Sequence, residues 1–168
     1  MNKKLVQFFL EWFGTGRSKK APGTVGTLGA IPLYIIFHSI YFSGIIKNEK
    51  LYNMIYFVFL IFLFFVSIYM CDFAEKNIYH KKDPQQVVLD EVLGYMTALF
   101  MVNPTNMSSL IINVVLAFVL FRLFDITKPL FIDRVQEMKN GVGVVADDFL
   151  AGIVANVILI GVNIWLGI

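Results

Sequence analysis

Apolar residues fill long runs of the chain, and charged residues interrupt these runs at intervals. A helix needs about 20 apolar residues to cross a bilayer, and residues 51–71 form such a run without a charged side chain. The pattern predicts an all-α, polytopic membrane bundle of about five spanning or partly spanning helices. We place them at residues 28–46, 51–71, 86–102, 108–124 and 149–168. A short apolar segment within residues 1–13 predicts an additional N-terminal interfacial helix.

The composition agrees with a small membrane protein. Of the 168 residues, 58% are hydrophobic and 15% are charged, whereas soluble domains average about 25% charged residues. The length suits a single domain over residues 1–168. A net charge of +2 without a basic stripe argues against a nucleic-acid partner. The single cysteine, Cys71, excludes an internal disulfide and a multi-cysteine zinc site.

The basic residues are distributed unequally between the predicted loops. Of 14 basic residues, only Lys47 and Lys50 lie on one side; the rest accompany the N-terminus and the loops 72–86 and 125–148. The positive-inside rule therefore places the N-terminus in the cytoplasm and the C-terminus outside. All candidate functional charges then lie at cytoplasmic helix ends.

Two adjacent acids, Asp90 and Glu91, lie inside the apolar segment 87–100. A carboxylate in such a helix is costly unless something compensates it, and no basic residue lies within one turn. Because Asp83-Pro84-Gln85 is a favourable helix start, we expect the acids roughly two turns into the helix. Basic residues from elsewhere or a bound cation must then compensate them. The alternative is that both acids face water at the membrane surface.

Further acids and bases flank two other apolar runs. We expect the last helix to begin at Asp147 and Asp148, where the helix dipole alone favours acids, although capping accounts for only one of them. Arg122, Asp125 and Lys128 follow one another at intervals of three residues. A plain ion pair within the helix is the simple interpretation. The functional interpretation makes Asp125 a metal ligand and Arg122 or Lys128 a phosphate partner.

Residues 14–27 combine basic side chains, hydroxyls and glycines, which predicts a loop. Cations, hydroxyls and accessible backbone amides together suit an anion cradle. The alternative is that the basic residues only anchor the chain near lipid headgroups. The Gly141-Val142-Gly143 segment is a further candidate source of backbone amides for an anion, although a single Gly-x-Gly pattern is not specific.

Several carboxylates without a cysteine or histidine cluster suit Mg²⁺. The features together indicate metal-assisted phosphate chemistry on a lipid. Three alternatives agree less well with the sequence. A small ion- or proton-coupled membrane transporter would place its acids near mid-membrane, whereas here they lie at one end. The spaced Asp-Gly…Ala-Arg…Gly…Asp…Asp pattern of a CDP-alcohol phosphotransferase is absent. A non-enzymatic assembly subunit leaves the clustered charges unexplained.

Four stretches, taken together and in this order, resemble the phosphatidylglycerophosphatase A family of bacterial membrane lipid phosphatases. They are residues 16–27, GRSKKAPGTVGT; 90–94, DEVLG; 121–129, FRLFDITKP; and 141–152, GVGVVADDFLAG. The resemblance implies Mg²⁺-dependent hydrolysis of phosphatidylglycerophosphate to phosphatidylglycerol and inorganic phosphate, a step of glycerophospholipid biosynthesis. It also implies a multi-pass protein of the bacterial inner membrane with its site at the cytoplasmic face.

These considerations predict a site built from three groups of residues. The catalytic carboxylates are Asp90, Glu91, Asp125, Asp147 and Asp148. The metal ligands among them are Asp90, Glu91, Asp125 and Asp148. The substrate phosphate is bound by Arg17, Lys20, Thr24, Thr27, Arg122 and Lys128. The nucleophile, the number of metal ions and the oligomeric state stay open.

Overall fold

A computed structural model of the chain describes residues 2–81, 83–129, 132, 135, 138 and 141–167. Within these residues all regular structure is helical, which confirms the predicted all-α class. The α-helices are α1 (Lys3–Leu10), α2 (Pro22–Phe42), α3 (Glu49–Ala74), α4 (Leu89–Ala98), α5 (Met107–Thr127) and α6 (Gly141–Leu166). A 3₁₀ turn at Thr15–Arg17 precedes α2, and a π-helix at Glu75–Tyr79 extends α3.

Four helices are long and apolar enough to cross a membrane: α2, α3 with its π-helical extension, α5 and α6. The N-terminal helix α1 is amphipathic, with Val6 and Leu10 buried and Phe8 and Phe9 exposed. This arrangement confirms the predicted membrane bundle with a short additional helix at its N-terminus.

The buried helix α4 completes the bundle, packed against α2, α3, α5 and α6. It has 10 residues, all buried except Glu91, and so measures about 15 Å. Beyond it the chain continues without helix as far as Asn103, whose amide donates to Glu49 at the start of α3. The predicted span at 86–102 is therefore a short helix followed by non-helical chain. Such backbone is tolerated at membrane depth where protein encloses it.

Side chains from neighbouring helices satisfy the carbonyls of this non-helical segment. Asn156 of α6 donates to the carbonyls of Ala98 and Phe100 at 3.0 and 2.7 Å. The Tyr34 hydroxyl of α2 donates to the carbonyl of Val102 at 3.1 Å. Because buried carbonyls need partners, these bonds hold the segment in place.

Helices α4 and α6 touch through their backbones. A Cβ atom on Gly152 would collide with the carbonyl oxygen of Gly94, and one on Gly94 would lie 2.7 Å from the Asp148 carbonyl oxygen. Small residues at a membrane interface allow such close approach. This contact brings the first turn of α4, with Asp90, next to Asp148.

The predicted helix start at Asp83-Pro84-Gln85 is wrong, because α4 begins at Leu89. Asp83 has a left-handed φ of 51°, whereas an N-cap residue typically has extended backbone. The amide of Val88 donates to the Leu10 carbonyl of α1 instead of entering a helix. The acids Asp90 and Glu91 therefore lie in the first turn of α4, where the helix dipole favours them.

The predicted start of the last helix is also wrong. Helix α6 begins at Gly141, so Asp147 and Asp148 lie within it and do not cap it. The glycine that indicated a loop serves close packing: a Cβ on Gly141 would lie 2.6 Å from the carbonyl oxygen of Ile68 in α3. Residues 130–146 were predicted as a polar segment, and most of residues 130–140 lie outside the described part of the chain.

The predicted loop at 14–27 ends early, because Pro22 opens α2 at a position that suits proline. Thr24 and Thr27 are therefore helical residues. Thr27 is buried, and its hydroxyl donates to the carbonyl of Gly23 at 2.9 Å.

Candidate active site

A cavity of about 350 Å³ lies at one end of the bundle, where the start of α2, the start of α4, the end of α5 and α6 meet. Its polar wall is dominated by charge. Six acids and two bases line it, namely Asp83, Asp90, Glu91, Asp125, Asp147, Asp148, Arg122 and Lys128. Seven of these eight are residues that the sequence predicted for the site.

Three carboxylates converge in this cavity. Asp90, Glu91 and Asp148 each offer an oxygen, and these oxygens lie within 4.8 Å of one another. Asp90 and Asp148 are buried, and Oε2 of Glu91 has no hydrogen-bond partner among the described residues. Clustered carboxylate oxygens are the ligands that hard divalent cations take.

The other two acids predicted for the site pair with the two bases. Nη1 of Arg122 lies 2.5 Å from Oδ2 of Asp125, one turn away on α5. Nζ of Lys128 lies 2.5 Å from Oδ2 of Asp147 on α6. The simple ion pair considered for Arg122 and Asp125 is therefore present, while Lys128 joins α5 to α6.

Burial and neighbouring charges shift the protonation of these groups. Asp90 is buried beside Glu91, and adjacent carboxylates removed from water are costly as anions unless protons or a cation compensate them. For Lys128, burial acts to lower the pKa, but the hydrogen bond and charge of Asp147 outweigh it and raise the pKa above the ordinary value. The acids therefore bind either protons or a cation, whereas Lys128 stays charged.

The N-terminus of α2 forms the remaining polar wall, through Ala21, Pro22 and Gly23. A Cβ on Gly23 would collide with Oε1 of Glu91 and lie 3.2 Å from Nη1 of Arg122. Glycine lets the backbone approach the ends of these two side chains directly, whereas a Cβ would displace them. The unpaired amides and dipole of a helix N-terminus favour an anion at this place.

Four predicted phosphate-binding residues lie outside the wall of this cavity. Arg17 lines a neighbouring cavity, and Lys20 is exposed. Thr24 is half-buried, while Thr27 is fully buried with its hydroxyl bonded within α2. Their roles stay predictions.

Sequence reasoning missed one buried acid, Glu11, at the end of α1. It is 1% exposed, and it accepts hydrogen bonds from Gln7 at 2.7 Å, Tyr79 at 2.9 Å and Nε of Arg17 at 2.5 Å. The signal that singled out Asp90, an acid in apolar surroundings, was also present for Glu11. Asp83 and Gln85, both assigned to a helix start, are also part of the cavity wall.

Comparison with known proteins agrees with the geometry. The chain is 37% identical over 155 residues to a Bacteroides thetaiotaomicron protein provisionally named phosphatidylinositol-3-phosphatase, covering 91% of this chain and 89% of that protein. It is 30% identical to phosphatidylglycerophosphatase A of Haemophilus influenzae, covering 92% and 86% of the two chains. It is 31% identical to the Escherichia coli protein of that name, covering 88% and 77%. No solved structure matches the chain.

The family model of phosphatidylglycerophosphatase A matches residues 8–163, which includes every residue predicted for the site. Together with the named relatives, this match confirms the resemblance and does not favour a transporter. The chain is a bacterial membrane phosphatase that belongs to the phosphatidylglycerophosphatase A family.

Proposed function

We propose that the protein hydrolyses the terminal phosphomonoester of phosphatidylglycerophosphate, with Mg²⁺ as cofactor. The observation that carries the proposal is the convergence of Asp90, Glu91 and Asp148 within 4.8 Å, in one cavity with Arg122 and Lys128. Relatives named phosphatidylglycerophosphatase A support this choice of substrate.

The charge balance of the cavity supports a cation. Six carboxyl groups face two basic groups, so a phosphate dianion is repelled unless positive charge is added or protons are bound. Asp90, Glu91 and Asp148 have the oxygen donors to hold Mg²⁺, and Asp125, which lines the same cavity, stays a candidate ligand. When bound, Mg²⁺ would offset the charge on the transferred phosphoryl group.

The basic residues bind and orient the phosphate in this proposal. Arg122 and Lys128 face the cavity, and their partners Asp125 and Asp147 hold them there. The N-terminal amides of α2 add donors next to Arg122. Such fixed donors stabilise the charge that develops on the phosphoryl oxygens.

Hydrolysis requires that an oxygen–phosphorus bond forms with water while the bond from phosphorus to the glycerol oxygen breaks. We assign proton removal from that water to Asp147, whose Oδ1 has no hydrogen-bond partner among the described residues while Oδ2 is held by Lys128. The departing glycerol oxygen takes up the proton that Asp147 removed from water and becomes the free hydroxyl of phosphatidylglycerol, which returns Asp147 to its carboxylate form.

The membrane setting follows from the same arrangement. Ile126 lines the cavity and is 69% exposed, so the phosphate site borders a lipid-facing helix surface. The acyl chains then stay in the bilayer while the headgroup enters. From the excess of basic residues at this end, we assign it to the cytoplasmic face of the bacterial inner membrane, with residues 1–168 as one domain.

Phosphate release from vesicles tests the function directly. Phosphatidylglycerophosphate with Mg²⁺ should give phosphatidylglycerol and phosphate, and EDTA should stop release until Mg²⁺ is restored. Activity that persists in EDTA would reject the cofactor.

A parallel assay with a second lipid tests the choice of substrate, because one relative is named as a phosphatidylinositol-3-phosphatase. Phosphatidylinositol 3-phosphate is assayed under the same conditions. Faster release from that lipid than from phosphatidylglycerophosphate would reject the proposed substrate.

A further inference from the structure

A second cavity, of about 290 Å³, adjoins the first. The two cavities share Pro22 and Gln85 as wall residues. The second is lined by Arg17 and Lys19 and by no acid among the described residues. Its charge is thus opposite to that of the acid-rich first cavity.

The buried carboxylate of Glu11 fixes the position of the Arg17 side chain. Its Nε donates to Oε2 of Glu11 at 2.5 Å, and Glu11 is held in turn by Gln7 and Tyr79. The side chain of Arg17 is 65% exposed, and Nε makes the only side-chain hydrogen bond that it has within the described residues. The two terminal amino groups of the guanidinium are therefore available to an anion.

Lys19 adds a second positive charge to this cavity. It is exposed, and its ammonium has no hydrogen-bond or salt-bridge partner in the described part of the chain. Arginine and lysine on one wall are the donors that proteins use for phosphate oxygens.

We propose that this second cavity binds the phosphodiester of the lipid substrate while the phosphomonoester lies in the first cavity. The inference rests on the proposed function, because phosphatidylglycerophosphate carries a phosphomonoester and a phosphodiester separated by one glycerol unit. Two adjoining cavities with a shared wall match two phosphates with a short linker. Gln85, in the shared wall, is placed to hydrogen-bond the hydroxyl of that glycerol. Arg17 and Lys19 then select lipids with a second phosphate.

Kinetics in mixed micelles test the proposal with two neutralising variants. Lys19→Gln leaves the Arg17–Glu11 bond intact, and Arg17→Gln removes the anchored donor. Lys81→Gln is the control, because Lys81 is exposed and lines neither cavity. We expect each test variant to raise KM for phosphatidylglycerophosphate about tenfold, as for a charged hydrogen bond, with kcat within about twofold. Inorganic phosphate binds only in the first cavity under this proposal, so its inhibition constant should not change.

Several outcomes would overturn the assignment. An equal rise of KM in Lys81→Gln, or an equal weakening of inhibition by inorganic phosphate, would mean that these residues act only through general charge. A KM effect that disappears when anionic carrier lipid is replaced by zwitterionic lipid would mean that the cavity binds bulk headgroups. If the wild-type protein releases no phosphate from phosphatidylglycerophosphate, the proposed function itself fails, which is a distinct result.

Discussion

The two ends of the segment formed by α4 and the non-helical chain that follows it differ in how their polar groups are paired. At the far end, neutral donors such as Asn156 and Tyr34 satisfy specific backbone carbonyls. At the start of α4, Asp90 and Glu91 lie in a charged cavity, and Oε2 of Glu91 has no partner in the described residues. Asp90 at one end and Val102 at the other are both buried, so a difference in the burial of these two residues does not explain the contrast.

The difference separates polar groups that stabilise the fold from polar groups that are available to bind a ligand. Buried polar groups with neutral partners stabilise the fold, because every carbonyl they satisfy would otherwise cost free energy. Buried carboxylates without basic partners destabilise the fold unless a ligand compensates them. The far end is therefore expected to respond to mutation through stability, and the cavity end through activity.

The largest effect is expected for Asp148→Asn. The variant removes one of the three converging carboxylates but keeps the size of the side chain, so phosphate release should fall by more than about a hundredfold. Its thermal stability without metal should be unchanged or higher, because a buried charge is lost. Phosphate release and the thermal unfolding midpoint measure the two effects.

Asp72→Asn is the matched control for this change. Asp72 lies on α3, pairs with Lys76 at 2.7 Å and does not line the cavity. Mg²⁺ should raise the unfolding midpoint of the wild type and of Asp72→Asn but not of Asp148→Asn. Full activity of Asp148→Asn would remove the carboxylate cluster from the mechanism.

A substitution at the contact between α4 and α6 is expected to lower both the stability and the activity of the protein. In Gly152→Ala the new Cβ would collide with the Gly94 carbonyl oxygen, which forces the helices apart at a cost of about 1–3 kcal/mol in the free energy of unfolding. Since Asp148 lies one turn before Gly152, activity should fall as well. Gly161→Ala on the same helix is the control, because its Cβ would meet nothing within 4 Å. Equal stability of the two variants would contradict the close packing.

The sequence predicted which residues form the site better than it predicted their arrangement in space. Uncompensated charge in apolar surroundings identifies Asp90 and Glu91, and both line the cavity. The same signal is present at Glu11, which the structure buries. Local start signals at Asp83 and Asp147 gave the wrong helix boundaries. The Val88 amide bonds to Leu10 before α4 begins, and α6 already includes Gly141, which packs against Ile68 of α3.

The break in the third predicted span was not predictable from apolar content alone. Residues 86–102 are apolar enough for a span, but only 89–98 are helical. What decides the outcome is the supply of side-chain donors from other helices, such as Asn156, whose partners sequence reasoning did not identify.

Asn156→Ala is expected to destabilise the fold without a matching loss of activity. The change leaves the carbonyls of Ala98 and Phe100 without the donor that they share, which costs about 1–3 kcal/mol in the free energy of unfolding. Activity per folded molecule should stay within about twofold. Urea titration followed by phosphate assay at low denaturant separates the two readouts. A loss of activity as large as that of Asp148→Asn would erase the distinction between the two ends.

The smallest effect on stability is expected for two buried tyrosines whose hydroxyl groups differ in hydrogen bonding. Tyr34 and Tyr52 are both buried; the Tyr34 hydroxyl donates to the Val102 carbonyl at 3.1 Å, whereas the Tyr52 hydroxyl has no partner in the described residues. Tyr34→Phe should therefore lower the free energy of unfolding by about 1 kcal/mol, and Tyr52→Phe should leave it unchanged or raise it. Parallel unfolding titrations of the two variants measure the difference. Equal effects would show that the far end is held by apolar packing, and that its hydrogen bonds do not determine the path of the chain after α4.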